Sequence, residues 1–158
     1  MEKIASFQID HLRLKPGVYV SRKDRFGPTT ITTFDLRFKE PNKEPVMDMP
    51  ALHTIEHLAA TFLRSHDSWA SRIVYFGPMG CRTGFYLILE GDWVSTDVLP
   101  LLVEILEWVE NFNGTIPGAT AVECGNWQEQ NLDMAKWECR RYTELLKNAG
   151  PENLNYPV

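Results

Sequence analysis

The residues His53-Thr-Ile-Glu-His57 place two imidazoles and a carboxylate within one short segment. Asp48 and Pro50 precede them, and a capping residue followed by an early proline is typical of a helix start, so we predict a helix to about residue 66. Residues four apart in a helix lie on the same face, one turn apart. The two histidines therefore present half of a transition-metal site, which Glu56 flanks as a candidate general acid or base.

An apolar stripe along the same helix makes a structural role for the histidines unnecessary. Its members recur at helical spacing and would face the core without them: Leu52, Ile55, Ala59, Phe62 and Leu63. The histidines fall at the edge of this stripe. A metal bound there would be partly shielded and would keep an open coordination position, as catalytic sites do.

The same residues also match the inverted zinc-protease pattern H-x-x-E-H, so the third protein ligand is decisive. Two neighbours compete for that role, Cys124 and Glu123. Gly125 would let the backbone of Cys124 approach closely, and a helix predicted from about residue 128 would favour a thiolate at its positive end. These features favour Cys124, while Glu123 remains the alternative that a protease would use.

The three cysteines are an odd number and do not suggest a disulfide framework. Cys139 lies within helical sequence and is predicted to be a small buried hydrophobe. Cys81 follows Gly80 and precedes Arg82 in a predicted tight turn. That setting predicts a partly exposed thiol near positive charge, with a lowered pKa.

Composition indicates a single ordinary globular domain. The chain has 158 residues, 44% of them hydrophobic and 23% charged, and a formal net charge of −5. We expect a domain over residues 1–150 and a loosely ordered tail over 151–158. The negative charge argues against nucleic-acid binding, and no apolar run approaches the ~20 residues of a membrane span. The N-terminus lacks the features of a signal peptide, so we expect a cytoplasmic protein.

Alternating and helical periodicities predict an α+β fold in which helices cover an antiparallel β-sheet. The short turns between strands favour antiparallel pairing. The predicted strands are 18–20, 30–38, 73–76 and 84–90, with a short extended piece at 121–125; the predicted helices are 50–66, a second from a cap at Ser95 or Thr96 to Gly114, and 128–148.

Taken together, these motifs resemble the S-ribosylhomocysteine lyase (LuxS) family over nearly the whole chain. The segments that carry the resemblance are Ser6-Phe-Gln-Ile-Asp-His11, Phe34-Asp-Leu-Arg-Phe38, Pro41-Asn-Lys43, His53-Thr-Ile-Glu-His-Leu58, Arg64-Ser-His66, Pro78-Met-Gly-Cys-Arg-Thr-Gly-Phe-Tyr86 and Glu123-Cys-Gly125. As a set they are far more specific than the histidine pair alone.

The resemblance implies one divalent metal per subunit, bound by His53, His57 and Cys124. The expected metal is Fe(II), which Zn or Co can replace. Glu56 and Cys81 correspond to the acid/base residues of the family. Residues near the substrate are implied at four further positions: Ser6, His11, Arg37 and Arg64. The implied assembly is a homodimer with its sites at the interface.

The implied reaction converts S-ribosylhomocysteine to homocysteine and 4,5-dihydroxy-2,3-pentanedione through two aldose–ketose isomerisations and a β-elimination. The second product is the precursor of a quorum-sensing autoinducer, and the reaction also serves the methyl cycle. One departure stands out, because Tyr75-Phe76-Gly77 replaces the Asp-Ile-Ser that the family commonly has. Two alternatives remain: an inverted zinc metalloprotease and a non-catalytic, metal-stabilised binding module.

Overall fold

The alternating side chains of the first third of the chain form a β-hairpin. Strand β1 (Gly17–Phe26) pairs antiparallel with β2 (Thr29–Arg37). Gly27 makes the turn with a φ of +60°, a conformation that glycine adopts at little cost. The structure is a computed structural model and describes residues 3–157. The predicted hairpin is confirmed.

Two further strands complete a sheet in the order β1-β2-β4-β3. Strand β3 (Ile73–Pro78) and strand β4 (Gly84–Glu90) pair antiparallel, and β4 also pairs antiparallel with β2. The tight turn between β3 and β4 carries Cys81. Because β4 is central, this turn lies beside the end of β2, where Arg37 is opposite Gly84.

Three helices pack on the sheet: α1 (Met49–Ser65), α2 (Ser95–Glu110) and α3 (Leu132–Lys147). The core between sheet and helices contains alternate strand residues and the apolar stripes of the helices, including Phe34, Leu36, Phe85, Leu87, Leu52, Ile55, Leu102, Ile105 and Cys139. Burying each such large side chain contributes roughly 1.5–3 kcal/mol. The single-domain α+β prediction is confirmed. Within residues 3–157, each helix is too short or too polar to cross a membrane.

The start of α3 and the preceding segment differ from the prediction. The helix begins at Leu132, after Asn131 caps it by accepting a hydrogen bond from the Met134 N–H at 3.1 Å. The predicted extended piece at 121–125 is wrong. The N–H groups of Glu123 and Cys124 both donate to the carbonyl of Thr120, so this segment is a turn.

The caps of α1 and α2 also differ from the prediction. Asp48 occupies the N-cap position of α1 but makes no side-chain capping bond. Helix α2 starts with Val94 at its N-cap position, and the Asp97 carboxylate accepts the Val94 N–H at 2.8 Å. Asp97 therefore does the capping that we expected of Ser95 or Thr96.

The segment from residue 151 to 157, which we expected to be loosely ordered, makes specific contacts. Asn153 donates to the Pro16 carbonyl at 2.8 Å, and the Ser95 hydroxyl donates to the Leu154 carbonyl at 3.0 Å. The ring of Tyr156 stacks on Tyr19 with centroids 4.7 Å apart. This segment lies along β1 and the start of α2.

Candidate metal centre

His53 and His57 project side by side from α1. Their Nε2 atoms are 3.0 Å apart, and the ring planes are nearly perpendicular, at 86°. Both residues are half-buried, whereas their neighbours Ile55 and Leu58 are in the core. The helix therefore anchors the pair through its apolar stripe and leaves the two rings at the edge, as the sequence predicts.

Backbone carbonyls fix the outer nitrogen of each ring. The Nδ1 of His53 is 2.9 Å from the Glu129 carbonyl oxygen, and the Nδ1 of His57 is 2.7 Å from the Pro117 carbonyl oxygen. A carbonyl only accepts, so each Nδ1 must carry a proton. In a neutral imidazole the Nε2 atom then has an unprotonated lone pair, the form that binds a metal.

Cys124 completes a group of three donor atoms. Its sulfur is 3.5 Å from the Nε2 of His53, and the three donor atoms lie within 4.8 Å of one another. Tetrahedral bonds of about 2.1 Å to nitrogen and 2.3 Å to sulfur would place ligand atoms about 3.3–3.6 Å apart. Two facing lone pairs also repel unless a cation lies between them. The residues present therefore fit a divalent metal.

Glu123, the alternative third ligand, is exposed and accepts a hydrogen bond from the Thr120 hydroxyl at 2.7 Å. It is not a member of the metal-binding group found among the described residues. The helix expected to favour a Cys124 thiolate starts too far along the chain, at Leu132. Instead, the Asn126 N–H donates to the Cys124 sulfur at 3.5 Å.

In the loop between α2 and α3, the glycine that packs closely against the site is Gly118 and not Gly125. A Cβ at Gly125 would meet no atom within 4 Å, so the close approach predicted there does not occur. Gly118 has a φ of +71°, and a Cβ there would lie 3.2 Å from the Nδ1 of His57. Its backbone therefore packs against the ring that the Pro117 carbonyl orients.

Thr54 connects the loop between α2 and α3 to α1 through hydrogen bonds. Its hydroxyl donates to the Gln130 side-chain oxygen at 2.7 Å and accepts the Asn131 N–H at 2.9 Å. Thr54 is fully buried one position after His53. Sequence reasoning did not find Thr54, Gln130 or Gly118, because their contacts join positions more than 60 residues apart along the chain.

Glu56 is half-buried on α1, one position before His57. It is outside the group of three donor atoms in the described part of the chain. A carboxylate that is not a metal ligand remains available to exchange protons.

A second group of predicted site residues lines a cavity of about 420 Å³. It contains Ser6, His11, Arg37 and Cys81, and none of the three donor residues lines it. The structure therefore brings four of the predicted residues together and the metal donors together, in two separate groups.

The Cys81 thiol is exposed and polarised, as predicted, but by different neighbours. Its sulfur is 3.1 Å from the Thr83 hydroxyl oxygen and 3.9 Å from the guanidinium of Arg37. Partial burial raises the pKa of Cys81, whereas the hydrogen bonds with Thr83 and the charge of Arg37 lower it, and the net shift is downward. The positive charge that we attributed to Arg82 comes from Arg37.

Arg37 is only 3% exposed, so it is not a solvated strand residue. Arg64, by contrast, is exposed and donates to the carbonyls of Ile73 and Val74 at 2.7 and 3.0 Å. It therefore holds α1 against β3 and does not line the cavity that contains Cys81.

In β3, the side chain of Tyr75 fills the space beside Gly77. A Cβ at Gly77 would overlap the Tyr75 hydroxyl group, so the tyrosine ring lies across the glycine. Tyr75 lines a second cavity, of about 200 Å³, which adjoins the Cys81 cavity at Ser6 and Tyr86. The departure noted in the sequence thus has a structural consequence at the edge of the site.

Comparison with known proteins agrees with the geometry. The family model described as S-Ribosylhomocysteinase (LuxS) matches residues 4–152. A protein of Desulfotalea psychrophila named S-ribosylhomocysteine lyase is 60% identical over 158 residues. Proteins of the same name from Clostridium acetobutylicum and Porphyromonas gingivalis are 57% and 56% identical over 157 and 158 residues. Each alignment covers 99% of this chain and 99% of the relative.

Proposed function

Because the chain belongs to the S-ribosylhomocysteinase (LuxS) family, we propose that it cleaves S-ribosylhomocysteine with a metal held by His53, His57 and Cys124. The match over nearly the full length to proteins named S-ribosylhomocysteine lyase makes the chain a carbon–sulfur lyase. The protease and the non-catalytic binding module are not favoured. The substrate is a small molecule.

The proposed metal is one Fe(II) per subunit, replaceable by Zn or Co. Two imidazoles and one thiolate suit such first-row divalent ions, and three protein ligands are the number that catalytic sites use. When bound, the metal supplies a Lewis acid that polarises a sugar carbonyl oxygen. The carbonyls of Glu129 and Pro117 hold the two rings for that role.

The proposed reaction is a series of proton transfers. The carbonyl of the ribosyl chain moves from C1 to C2 and then to C3, and each move takes a proton from one carbon and returns a proton to its neighbour. Loss of the C4 proton then expels homocysteine from C5, leaving 4,5-dihydroxy-2,3-pentanedione. The two products together contain all the atoms of the substrate, so no oxidant, reductant or organic cofactor is consumed.

Glu56 and Cys81 are the proposed carriers of these protons. Glu56 lies on α1 between the two histidine ligands in sequence but is outside the donor group, so its carboxylate can accept and return a proton. The Cys81 thiol has a pKa below its ordinary value, so its thiolate forms more readily than that of an ordinary cysteine and can take a proton from carbon. Ser6, His11 and Arg37, which line the Cys81 cavity, are proposed substrate contacts, and Arg64 is proposed as a fourth from the α1 side.

The separation of the two residue groups supports a homodimer whose sites lie at the interface. The cavity that contains Cys81 is lined by none of the three donor residues, and a second copy of the chain would bring one donor group to one such cavity. Two large apolar side chains that line that cavity are exposed, Phe7 at 70% and Val46 at 39%. Burial of such side chains would stabilise the assembly.

The proposed setting is the cytoplasm, with 4,5-dihydroxy-2,3-pentanedione available as an autoinducer precursor for quorum sensing and homocysteine returned to the methyl cycle. The formal charge of −5 supports the expectation that neither nucleic acid nor a membrane surface is a partner.

The convergence of two unprotonated imidazole nitrogens and one thiol carries this proposal. The test is incubation of purified, metal-loaded protein with S-ribosylhomocysteine while free thiol and the dicarbonyl product are both quantified. We expect equal amounts of the two products. Glu56→Gln is the matched control, since it keeps the side-chain shape and the metal donors but cannot accept a proton. Product formation no greater than in metal-free protein would refute the proposal.

A further inference from the structure

Arg37 is a buried arginine of β2 that has a glycine opposite it on each neighbouring strand. Because strand residues alternate between faces, Arg37 points away from the side that carries Phe34 and Leu36. The residues opposite it on the two neighbouring strands are Gly17 and Gly84. A Cβ at Gly17 would overlap the backbone of Asn153, so the missing side chain makes room for the 151–157 segment beside β1.

Asp35 holds one end of the Arg37 guanidinium. The carboxylate of Asp35 is 1% exposed and lies 2.5 Å from Nη2 of Arg37. The other end, Nη1, donates to the Thr83 hydroxyl at 2.6 Å and lies 3.9 Å from the Cys81 sulfur. A planar guanidinium held at one end presents its other end in a fixed direction, here toward the thiol.

The 151–157 segment supplies the remaining partner of Asp35. The Tyr156 hydroxyl donates to the same carboxylate oxygen, Oδ2, at 2.9 Å. The other oxygen, Oδ1, is buried without a hydrogen-bond partner in the described part of the chain. The segment that carries Tyr156 is anchored by the Tyr19 hydroxyl, which donates to the Glu152 carbonyl at 2.9 Å.

We propose that Tyr156 and Asp35 are positioning residues for Cys81: the Tyr156 hydroxyl holds the Asp35 carboxylate, and the carboxylate holds Arg37 against the Cys81 sulfur. The inference rests on the proposed function, in which Cys81 moves protons. A residue near the end of the chain would thereby tune a group in the β3–β4 turn, through contacts that cross β1 and β2.

Loss of the Tyr156 hydroxyl should raise the pKa of Cys81. Asp35 would keep Arg37 as its only charged partner, so more of its negative charge would be neutralised by the guanidinium. The carboxylate would also be free to rotate, which loosens the direction of Nη1. Both effects weaken the positive field at the sulfur and disfavour the thiolate.

Other titratable groups also face Cys81. His11 from the N-terminal segment, Glu44 from the loop before α1, and Tyr86 on β4 line the same cavity. They are unchanged in the variants below, so a difference between the pH profiles of two variants reports on the Tyr156–Asp35–Arg37 contacts.

The test compares Tyr156→Phe with Tyr142→Phe in metal-loaded protein. Tyr142 is the matched control, because its buried hydroxyl donates to the Gly17 carbonyl at 2.6 Å, whereas the Asp35 carboxylate accepts its tyrosine hydrogen bond from Tyr156. The rate of Cys81 alkylation by iodoacetamide is measured against pH and read from the labelled peptide. Tyr156→Phe keeps the ring that stacks on Tyr19 and should raise the pH midpoint of Cys81 alkylation by about 0.5 pH unit. Tyr142→Phe should leave that midpoint unchanged.

Turnover provides a second readout. In Tyr156→Phe the acid limb of the kcat profile should move to higher pH by the same amount, with KM little changed. Removal of residues 156–158 should shift both profiles in the same direction. Equal shifts in the two tyrosine variants, an unmoved midpoint, or a loss of kcat that is uniform across pH would overturn the inference. The alkylation comparison needs no turnover, so it separates this failure from a failure of the proposed function.

Discussion

At the scale of single residues, the decisive feature is the hydrogen bond that His53 and His57 each make through Nδ1. Both Nδ1 atoms face carbonyl oxygens, which forces the lone pairs of the two Nε2 atoms toward each other at 3.0 Å. Without a cation this arrangement is repulsive, and protonation of either ring at Nε2 would relieve it only by adding a positive charge. Together with Cys124, the two nitrogens form a group that could hold a metal ion.

Cys124→Ala should lower the bound metal well below one per subunit, because it removes the one thiolate among the three donors. Glu123→Gln is the matched control from the neighbouring position, and it should retain full occupancy since Glu123 is exposed and bound to Thr120. Metal content after extensive dialysis is the measurement. Full occupancy in Cys124→Ala together with loss in Glu123→Gln would assign the third position to Glu123.

The three cysteines should alkylate in a fixed order that depends on pH. The pKa of Cys81 is lowered, so its thiolate persists to a lower pH than in an ordinary cysteine of pKa ~8.5. Burial raises the pKa of Cys139, and the metal protects Cys124. In folded, metal-loaded protein the Cys81 labelling rate should therefore reach half its maximum below the midpoint of the urea-unfolded protein. Earlier labelling of Cys139, or a Cys81 midpoint at or above the unfolded value, would contradict this assignment.

Much of the residue-level site follows from local sequence, and the rest does not. The spacing of His53 and His57 predicts the donor pair, and the turn predicts an exposed Cys81. The charge beside Cys81 belongs to Arg37, which is 44 residues away along the chain. Sequence neighbours such as Arg82 are therefore a poor guide to the field at a thiol, because the sheet register decides which side chains meet.

At the scale of elements, a turn-rich segment between α2 and α3 positions the metal donors. Residues 117–131 supply Cys124 and the carbonyls that orient both imidazoles. The helices and strands were predictable from the spacing of their apolar residues. This segment was not, since its apolar residues follow neither the helical nor the strand period. Its conformation depends on contacts with α1 such as the hydroxyl of Thr54 on Gln130.

Gly118→Ala should weaken metal binding without unfolding the protein. A side chain at a φ of +71° costs about 1 kcal/mol, and its Cβ would press on the His57 ring at 3.2 Å. Disturbing the partner of a ligand typically lowers metal affinity by about 10-fold or more. Gly125→Ala is the control in the same segment, because a Cβ there meets no atom within 4 Å. Competition with a chelator measures both affinities, and equal values for the two variants would refute the role of Gly118.

At the scale of the whole molecule, the two groups of site residues predict a shared active site. The Cys81 cavity and the donor group are separate within one chain, and a symmetric dimer would pair each group with its counterpart from the other copy. The exposed apolar residues beside the cavity are consistent with such an interface. No single-chain sequence pattern predicts which copy supplies which residue.

Mixing two inactive variants tests this arrangement. Glu56→Gln and Cys81→Ala should each bind metal but lack turnover. If Glu56 and Cys81 of one site come from different copies, each mixed dimer contains one intact site, so refolding equal amounts together should restore about one quarter of the wild-type activity. Restoration to no more than the sum of the separate variants would place both residues of a site in the same copy.

The central claim, that the three-donor centre is what makes this chain a lyase, is tested most directly by titrating metal-free protein with Fe(II) without oxygen and measuring homocysteine release against bound metal. We predict that the rate of homocysteine release rises in proportion to metal occupancy and reaches its maximum at one metal per subunit. At the same total metal concentration, Cys124→Ala should release less homocysteine than the wild-type protein. Full activity in metal-free protein, or a rate that keeps rising beyond one bound metal per subunit, would contradict the account.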